Sequence, residues 1–222
     1  MKIWVFGHSF SLPYKVEFGW PDHLKKYFNC EVVNLAKAAI DNLYIYNSYL
    51  EVQKQIAKDD VVIIGWSHPS RKLFILDNNN IHQTSMIDKS FYFKSKTKEF
   101  IRSTGGSADS AEKFSLMNPI DGTLSYYNDW FNKYFSKPEQ SLNFQAYYDS
   151  VLLTNTSRYI PFFFSKNSIS DIDIRNYTEL CMLDYIIDNK LELSKTDVHA
   201  NEQGHSEWAN ILIKIIETNN VS

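Results

Sequence analysis

The sequence predicts an α/β fold, a three-layer sandwich in which a central parallel sheet is flanked by helices. Short apolar runs recur along the chain and alternate with segments that have helical spacing. These runs are uniformly apolar rather than alternating, which is typical of strands that are covered on both faces of a sheet. Because 222 residues are enough for one sizeable core, we expect a single domain over residues 1–222.

The first half of the chain and one later run predict four strands and the first two helices. The strands are predicted at Ile3–Phe6, Val32–Leu35, Val61–Ile64 and Tyr159–Phe164. A short helix is predicted at Pro21–Phe28, because proline is favoured at the opening position of a helix. A longer helix is predicted at Ile40–Ala57, where Leu43, Tyr46 and Leu50 share one apolar face.

The second half of the chain predicts two more helices and an insertion. Leu180, Leu183 and Ile187 have helical spacing, and a last helix is predicted from about Asn201 to Glu217 with these residues inward: Trp208, Leu212, Ile215 and Ile216. Residues 76–144 mix turn signals with aromatic residues and are too many for a plain loop. We expect an insertion there, forming a lid or contact surface, with a short helix around Ser125–Tyr134.

Composition and charge exclude several classes of protein. The formal net charge is −3, and lysines and arginines are scattered among acids, so the basic patch of a nucleic-acid-binding protein is absent. No run approaches the roughly 18 apolar residues of a membrane span. The apolar run after Lys2 is too short for a signal peptide, and Cys30 and Cys181 are too few for a disulfide framework. We therefore expect a cytoplasmic protein with no membrane or nucleic-acid partner.

Reactive side chains follow the predicted strands and precede the last helix. Ser9 comes directly after the first strand, whereas Asp197 and His199 lie in "DVHANEQGH". In an open parallel sheet, functional groups collect at the carboxyl ends of the strands. A serine hydroxyl needs a base to become a nucleophile, and the base needs an acceptor to orient it. We therefore predict Ser9 as nucleophile, His199 as base and Asp197 as the group that orients the base.

Further residues at the same edge are candidates for stabilising an oxyanion and for binding substrate. The backbone N–H of Ser9, a backbone N–H near Ala39 and Ser67 are the predicted oxyanion donors. Three side chains flank the site and are candidate substrate-binding residues: His8, His68 and Arg71. Both histidines fit equally well as ordinary polar residues of the rim. Arg71 fits a carboxylate or phosphate on the substrate and, equally, an acid on the protein surface.

Four short blocks of the sequence resemble the SGNH hydrolase superfamily, also called GDSL esterases and lipases. They are Gly7-His8-Ser9, "NLAKAAIDN" with Ala39, "GWSHPSR" with Ser67, and the block Asp197, His199, Asn201, Gly204 and His205. The third block resembles a branch often carried by phages, in which Trp and Ser or Thr are followed by Arg. The resemblance spans the chain but skips the insertion.

The resemblance implies a flavodoxin-like SGNH hydrolase fold and a serine esterase that needs no cofactor. Such an enzyme cleaves an acyl or O-acetyl ester, on a small molecule or a carbohydrate, through an acyl-enzyme intermediate. Its triad here is Ser9, His199 and Asp197, and its oxyanion donors are Ser9, Ala39 and Ser67. A phage-encoded member would act in the host cytoplasm.

Two other classes of function stay open. His8, Ala39 and Ser67 replace the aspartate, glycine and asparagine that are usual in the family, so the chain could be a catalytically drifted binding or assembly protein, including a homo-oligomer. A metal-assisted hydrolase is the third class, because imidazole and carboxylate ligands suit zinc or a similar ion. Its ligands would be His8, His68, His199 and Asp197, although their spacings match no standard metal site.

Overall fold

The structure is a computed structural model that describes residues 1–13, 16–38, 40–69, 71–74, 84–86, 137–164, 180–193 and 199–218. The strands are, in chain order, β1 (Lys2–Gly7), β2 (Glu31–Asn34), β3 (Val61–Trp66), β4 (Lys72–Phe74), β5 (Thr84–Met86) and β6 (Arg158–Phe163). The helices are α1 (Trp20–Phe28), α2 (Asn42–Val52), α3 (Lys137–Thr154), α4 (Met182–Asp188) and α5 (Glu202–Thr218), and two 3-10 turns lie at Ser9–Ser11 and Gln53–Gln55.

Four of these strands form a parallel sheet in the order β2-β1-β3-β6. The chain passes from β1 to β2 on one side and then to β3 on the other side of β1. The strand order therefore reverses at β1, and this is the place in an open α/β sheet where ligand sites form. The two remaining strands, β4 and β5, pair as a separate antiparallel ribbon.

Alternate residues of each strand belong to two separate hydrophobic cores, one on each face of the sheet. In β1, Ile3 and Val5 belong to the core that also contains Leu24 of α1 and residues of α4 and α5. Trp4 and Phe6 belong to the other core, which contains residues of α2 and α3. Because both faces of the sheet are covered, the strands are apolar throughout. The three-layer α/β architecture predicted from the sequence is confirmed.

The predicted elements match the observed ones closely at the strands and at both terminal helices. Each of the four predicted strands is found, with ends that differ by one or two residues. In α1, Gly19 is the N-cap and Asp22 accepts from its backbone N–H at 2.9 Å, so the helix begins one residue before Pro21. In α5, Trp208, Leu212 and Ile216 are buried as predicted, and Ile215 is partly buried.

The apolar face predicted for α2 is not the face that is buried. Leu43 and Leu50 are 39% and 41% exposed, whereas Ile45 and Tyr49 are fully buried. The helix is also shorter than predicted, because it begins at Asn42 and passes into a 3-10 turn after Val52. Several apolar residues surround this helix, so its sequence allows more than one apolar face, and contact with α3 and the sheet selects one of them.

Helix α3 was not predicted, and it begins inside the predicted insertion. Phe144, Tyr148 and Val151 are buried along one face, but Leu142 and Leu153 are 72% and 84% exposed and obscure the helical pattern. Apart from α3 and the short strand β5, residues 76–144 lie outside the described residues, as does the predicted helix at 125–134. The insertion therefore stays a prediction. None of the described helices is both long and apolar enough to cross a bilayer.

Candidate active site

The first strand ends in a sharp turn that presents Ser9 at the carboxyl edge of the sheet. Gly7 has φ +154°, and a Cβ at this position would lie 2.6 Å from Ser11 Oγ and 3.0 Å from the Gly65 carbonyl oxygen. A residue with a side chain would therefore be strained here. The chain then forms the Ser9–Ser11 turn, in which the Ser11 N–H donates to the His8 carbonyl at 2.8 Å.

Neighbouring strands hold this turn in place. The side-chain amide of Asn34, at the end of β2, donates to the Ser11 carbonyl at 2.8 Å. On the other side, Gly7 is opposite Gly65 of β3 in the parallel register. The turn is buried, and Ser9 itself is only 7% exposed. Because β1 lies at the reversal of strand order, Ser9 stands in the crevice where ligand sites of such sheets form.

The chain brings His199 to the same turn from its opposite end. The His199 ring stacks on Phe10, with 4.8 Å between ring centroids and 30° between the planes, and His199 is 1% exposed. Phe10 directly follows Ser9, so the imidazole is positioned beside the serine turn. An isolated bridge between Leu193 and Ala200 and the start of α5 at Glu202 anchor the segment that carries His199.

At the end of β3, Ser67 is held by Asn42, a residue that the sequence analysis did not single out. Asn42 Oδ1 accepts from the Ser67 N–H at 2.8 Å, and Asn42 Nδ2 donates to the Ser67 carbonyl at 3.1 Å. Asn42 is 5% exposed, and the preceding Asp41 caps α2 by accepting from the Tyr44 N–H at 2.9 Å. The Ser67 N–H is therefore already engaged, whereas the buried Ser67 hydroxyl has no hydrogen-bond partner among the described residues.

His8 is buried among aromatic rings and basic groups. Its ring centroid lies 5.5 Å from that of Phe10 and 5.8 Å from that of Phe164, and only 2% of the residue is exposed. Burial, followed by the charges of Arg71 and His199, lowers the pKa of His8 well below 6.5, although the Trp66 backbone opposes the shift. The Trp66 backbone lies close enough to oppose the shift, but neither ring nitrogen makes a well-formed hydrogen bond in the described parts of the chain. We therefore expect His8 to be neutral near pH 7.

The remaining predicted site residues fall into two groups. Arg71 is 9% exposed. Its backbone N–H donates to the backbone carbonyl of the half-buried His68 at 2.8 Å, so both residues belong to the turn that follows Ser67. Asp197 and Ala39 lie outside the described residues, and their predicted roles stay predictions. Within the described ranges no group of three or more His, Cys, Asp and Glu could hold a metal ion.

A polar cleft extends from this edge of the sheet towards α3. Residues that follow β3 or begin α2 form one side of the cleft, and residues of α3 form the other. The lining residues are Asp41, Asn42, Leu43, Pro69, Arg71, Gln140, Asn143, Phe144 and Tyr147. The contribution of α3 was not predicted from the sequence, because the first turns of that helix were not recognised as helical.

His205, which follows His199 at the start of α5, has a structural position. Its Nδ1 accepts from the Trp20 N–H at 3.3 Å, and the residue is 1% exposed. Burial, together with the nearby His199 and His23, lowers the pKa of His205 to about 4. The buried imidazole is therefore neutral at pH 7 and ties α5 to the start of α1.

The low pKa of His205 predicts that the protein loses stability as the pH falls from about 6.5 to about 4. In that window the unfolded chain binds a proton at this histidine and the folded chain does not, so protonation favours unfolding. A difference of about 2.5 pKa units corresponds to about 3 kcal/mol at the acid end. The free energy of unfolding in urea, measured at pH 7, 6 and 5, should fall accordingly.

His205→Asn is the variant that isolates this effect. Asparagine keeps an acceptor near the Trp20 N–H but does not titrate, so its stability should depend less steeply on pH than that of the wild type. His8 also has a lowered pKa and other groups titrate too, so part of the slope remains. Equal slopes in the two proteins would contradict the assignment.

The fold and the site define the chain as an α/β protein with a buried serine and histidine at the switch point of a parallel sheet. No family model matches the sequence, and no curated protein matches it. Among solved structures, the chain is similar to a "putative lipolytic protein of G-D-S-L family" from Desulfitobacterium hafniense DCB-2. The identity is 12% and the TM-score is 0.40, over 96% of this chain and 98% of that chain.

Proposed function

We propose that the protein is a serine esterase whose nucleophile is Ser9 and whose general base is His199. The observation that carries this proposal is the stacking of the His199 ring on Phe10, the residue that follows Ser9. A buried imidazole beside a buried serine, at the switch point of a parallel sheet, supplies the two groups that nucleophilic catalysis requires.

In the proposed reaction, Ser9 Oγ attacks the carbonyl carbon of an ester while His199 accepts the hydroxyl proton. The tetrahedral intermediate then expels the alcohol, which takes that proton from His199, and Ser9 is left acylated. Water attacks the acyl-enzyme with His199 again as base, and this step releases the acid and restores Ser9. The substrate in this proposal is an acyl or O-acetyl ester, and Asp197 orients His199.

The oxyanion of the intermediate requires hydrogen-bond donors that are already in place. In the proposal they are the backbone N–H groups of Ser9 and Ala39 and the hydroxyl of Ser67. The support for Ser67 is that its backbone N–H is bound by Asn42, whereas its buried hydroxyl has no partner among the described residues. Serine thus offers a hydroxyl donor at the position where the family usually has an asparagine amide.

Covalent labelling tests the proposal without knowledge of the natural substrate. A fluorophosphonate probe should add one phosphonyl group to the wild-type protein, detected by intact mass, and peptide mapping should place the group on Ser9. Ser9→Ala should not be labelled because the nucleophile is absent. Ser48→Ala is the matched control, since the Ser48 hydroxyl only donates to the Tyr44 carbonyl within α2, and it should be labelled like the wild type.

The same experiment separates the esterase from a catalytically drifted protein. The alternative is favoured by the replacement of three family residues at the site, namely His8, Ala39 and Ser67. A wild-type protein that unfolds cooperatively but gains no label, and that hydrolyses no activated ester, would contradict the esterase proposal. It would select a binding or assembly role for the same fold.

A further inference from the structure

Two buried basic side chains lie near the proposed nucleophile: His8 directly precedes Ser9, and the charge of Arg71 acts on His8. They are 2% and 9% exposed, and we use the name basic pocket for the site that the pair would form. His8 follows the end of β1 and Arg71 lies in the turn after β3, so the two meet where these paired strands end. Neither nitrogen of His8 makes a well-formed hydrogen bond within the described part of the chain.

An unsatisfied imidazole in the interior needs an explanation. Buried polar groups are nearly always hydrogen-bonded, because leaving one without a partner costs the full desolvation of the group. His8 packs against Phe10 and Phe164, which offer no hydrogen bond, and its two nitrogens therefore remain available. An acceptor group of a ligand that enters the site would satisfy the N–H of the neutral imidazole.

The charges around His8 indicate which kind of ligand group would bind there. The described charged groups that act on it are Arg71 and His199, and both are basic. Asp41 lines the cleft that Arg71 borders, but its carboxylate caps α2 and is not among the groups that shift His8. A negatively charged ligand would thus be attracted by the guanidinium and would accept a hydrogen bond from the imidazole.

We propose that the basic pocket binds an anionic oxygen group, a carboxylate or a sulfate-like or phosphate-like group, which the substrate carries close to its scissile ester. This inference rests on the proposed esterase and names its substrate class. Arg71 supplies the planar donors that match such groups, and His8 supplies a neutral N–H donor.

Direct binding of small anions tests the pocket without any ester hydrolysis. Sulfate and acetate are titrated at pH 7 and constant ionic strength into the Ser9→Ala protein, and the His8 imidazole signals are followed by NMR. These signals are assigned by their loss in His8→Gln. We expect saturable shifts for sulfate, acetate or both. Binding should weaken by at least about tenfold in Arg71→Gln, because a charge-assisted hydrogen bond is lost.

The control is Lys54→Gln, which removes one exposed positive charge from the 3-10 turn after α2 and should leave the affinity unchanged. Arg71→Lys keeps the charge without the planar pair of donors and should bind with intermediate affinity, which separates recognition from loss of folding. His8 signals that do not move with either anion would overturn the proposal. Equal weakening in Lys54→Gln would also overturn it, because the attraction would then be unspecific.

A second measurement compares a neutral with a charged ester. The wild type should have a higher kcat/KM for the mono-4-nitrophenyl ester of succinic acid than for 4-nitrophenyl acetate, and Arg71→Gln should reduce this preference by about tenfold. No preference in the wild type would overturn the substrate class. If anions bind to the pocket but Ser9 is neither labelled nor needed for hydrolysis, the proposed esterase fails and the anion site stands.

Discussion

Replacing His199 with alanine is expected to lower kcat/KM for ester hydrolysis by about 10³- to 10⁴-fold, because Ser9 then has no base to accept its proton. At 1.36 kcal/mol for each factor of ten, this is about 4 to 5.5 kcal/mol of transition-state stabilisation. KM should change little, since in the proposed mechanism the imidazole acts on the proton of Ser9 rather than on the bound substrate. Initial rates with 4-nitrophenyl acetate give both constants.

A structural effect must be distinguished from a catalytic one, because the His199 ring also stacks on Phe10. Added imidazole should restore part of the activity of His199→Ala, since it can occupy the space that the side chain leaves and act as base. His23→Gln, a change of another histidine on α1, should keep wild-type activity. If His199→Ala were as active as the wild type, the base would have to be a different residue.

Replacing Asn42 with leucine is expected to destabilise the fold and to slow hydrolysis together. Leucine has a similar size but leaves the buried N–H and carbonyl of Ser67 without their partners at 2.8 and 3.1 Å. Each unsatisfied buried group costs about 1–3 kcal/mol, so for the two groups we expect a loss of about 2–6 kcal/mol in the free energy of unfolding. Because the Ser67 hydroxyl is then less well placed, kcat should fall by about 10- to 100-fold.

The readouts for Asn42 are urea unfolding and the separation of kcat from KM. Asn42→Asp keeps an acceptor for the Ser67 N–H but loses the donor to its carbonyl, so both effects should be smaller than in Asn42→Leu. The matched control is Asn189→Ala, because the exposed Asn189 amide also donates to a backbone carbonyl, that of Tyr185, but at the exposed end of α4. Loss of stability in Asn42→Leu with unchanged kcat would contradict a role in positioning Ser67.

The location of the site follows from the order of the strands. The strand order reverses at β1, so the connections that leave β1 and β3 go to opposite sides. This opens a crevice at the carboxyl ends of these two strands. Ser9 and Ser67 each follow one of these two strands, so the proposed nucleophile and a proposed oxyanion donor are brought to the same edge of the sheet by the parallel register. The remaining groups, His199 and Arg71, reach the crevice from loops.

Several features of the fold could be predicted because they depend on local pattern. Uniformly apolar strands, such as Val61–Trp66 with every residue buried, signal a sheet that is covered on both faces. Helix α5 could be predicted for a similar reason, since Trp208, Leu212 and Ile216 form one continuous apolar face. In these elements the predicted apolar residues are nearly all buried, so the local pattern allows one arrangement.

Other features could not be predicted, because competing apolar residues made the pattern ambiguous. In α2 the exposed Leu43 and Leu50 were as apolar as the buried Ile45 and Tyr49. In α3 the exposed Leu153 masked the buried face. Which face of a helix is buried depends on the elements that pack against it, and these are distant in the sequence.

The amino-acid sequence by itself determined a layered α/β architecture and a serine that follows the first strand. Both can be recognised from residues that are neighbours in the sequence, because a strand buried on both faces is uniformly apolar and ends where polar residues begin. Only the tertiary structure decided that His199 stacks on Phe10, that Asn42 binds the backbone of Ser67, and that His8 is buried beside Arg71. Each of these contacts joins residues from separate elements, and their distances depend on how the strands and helices pack together.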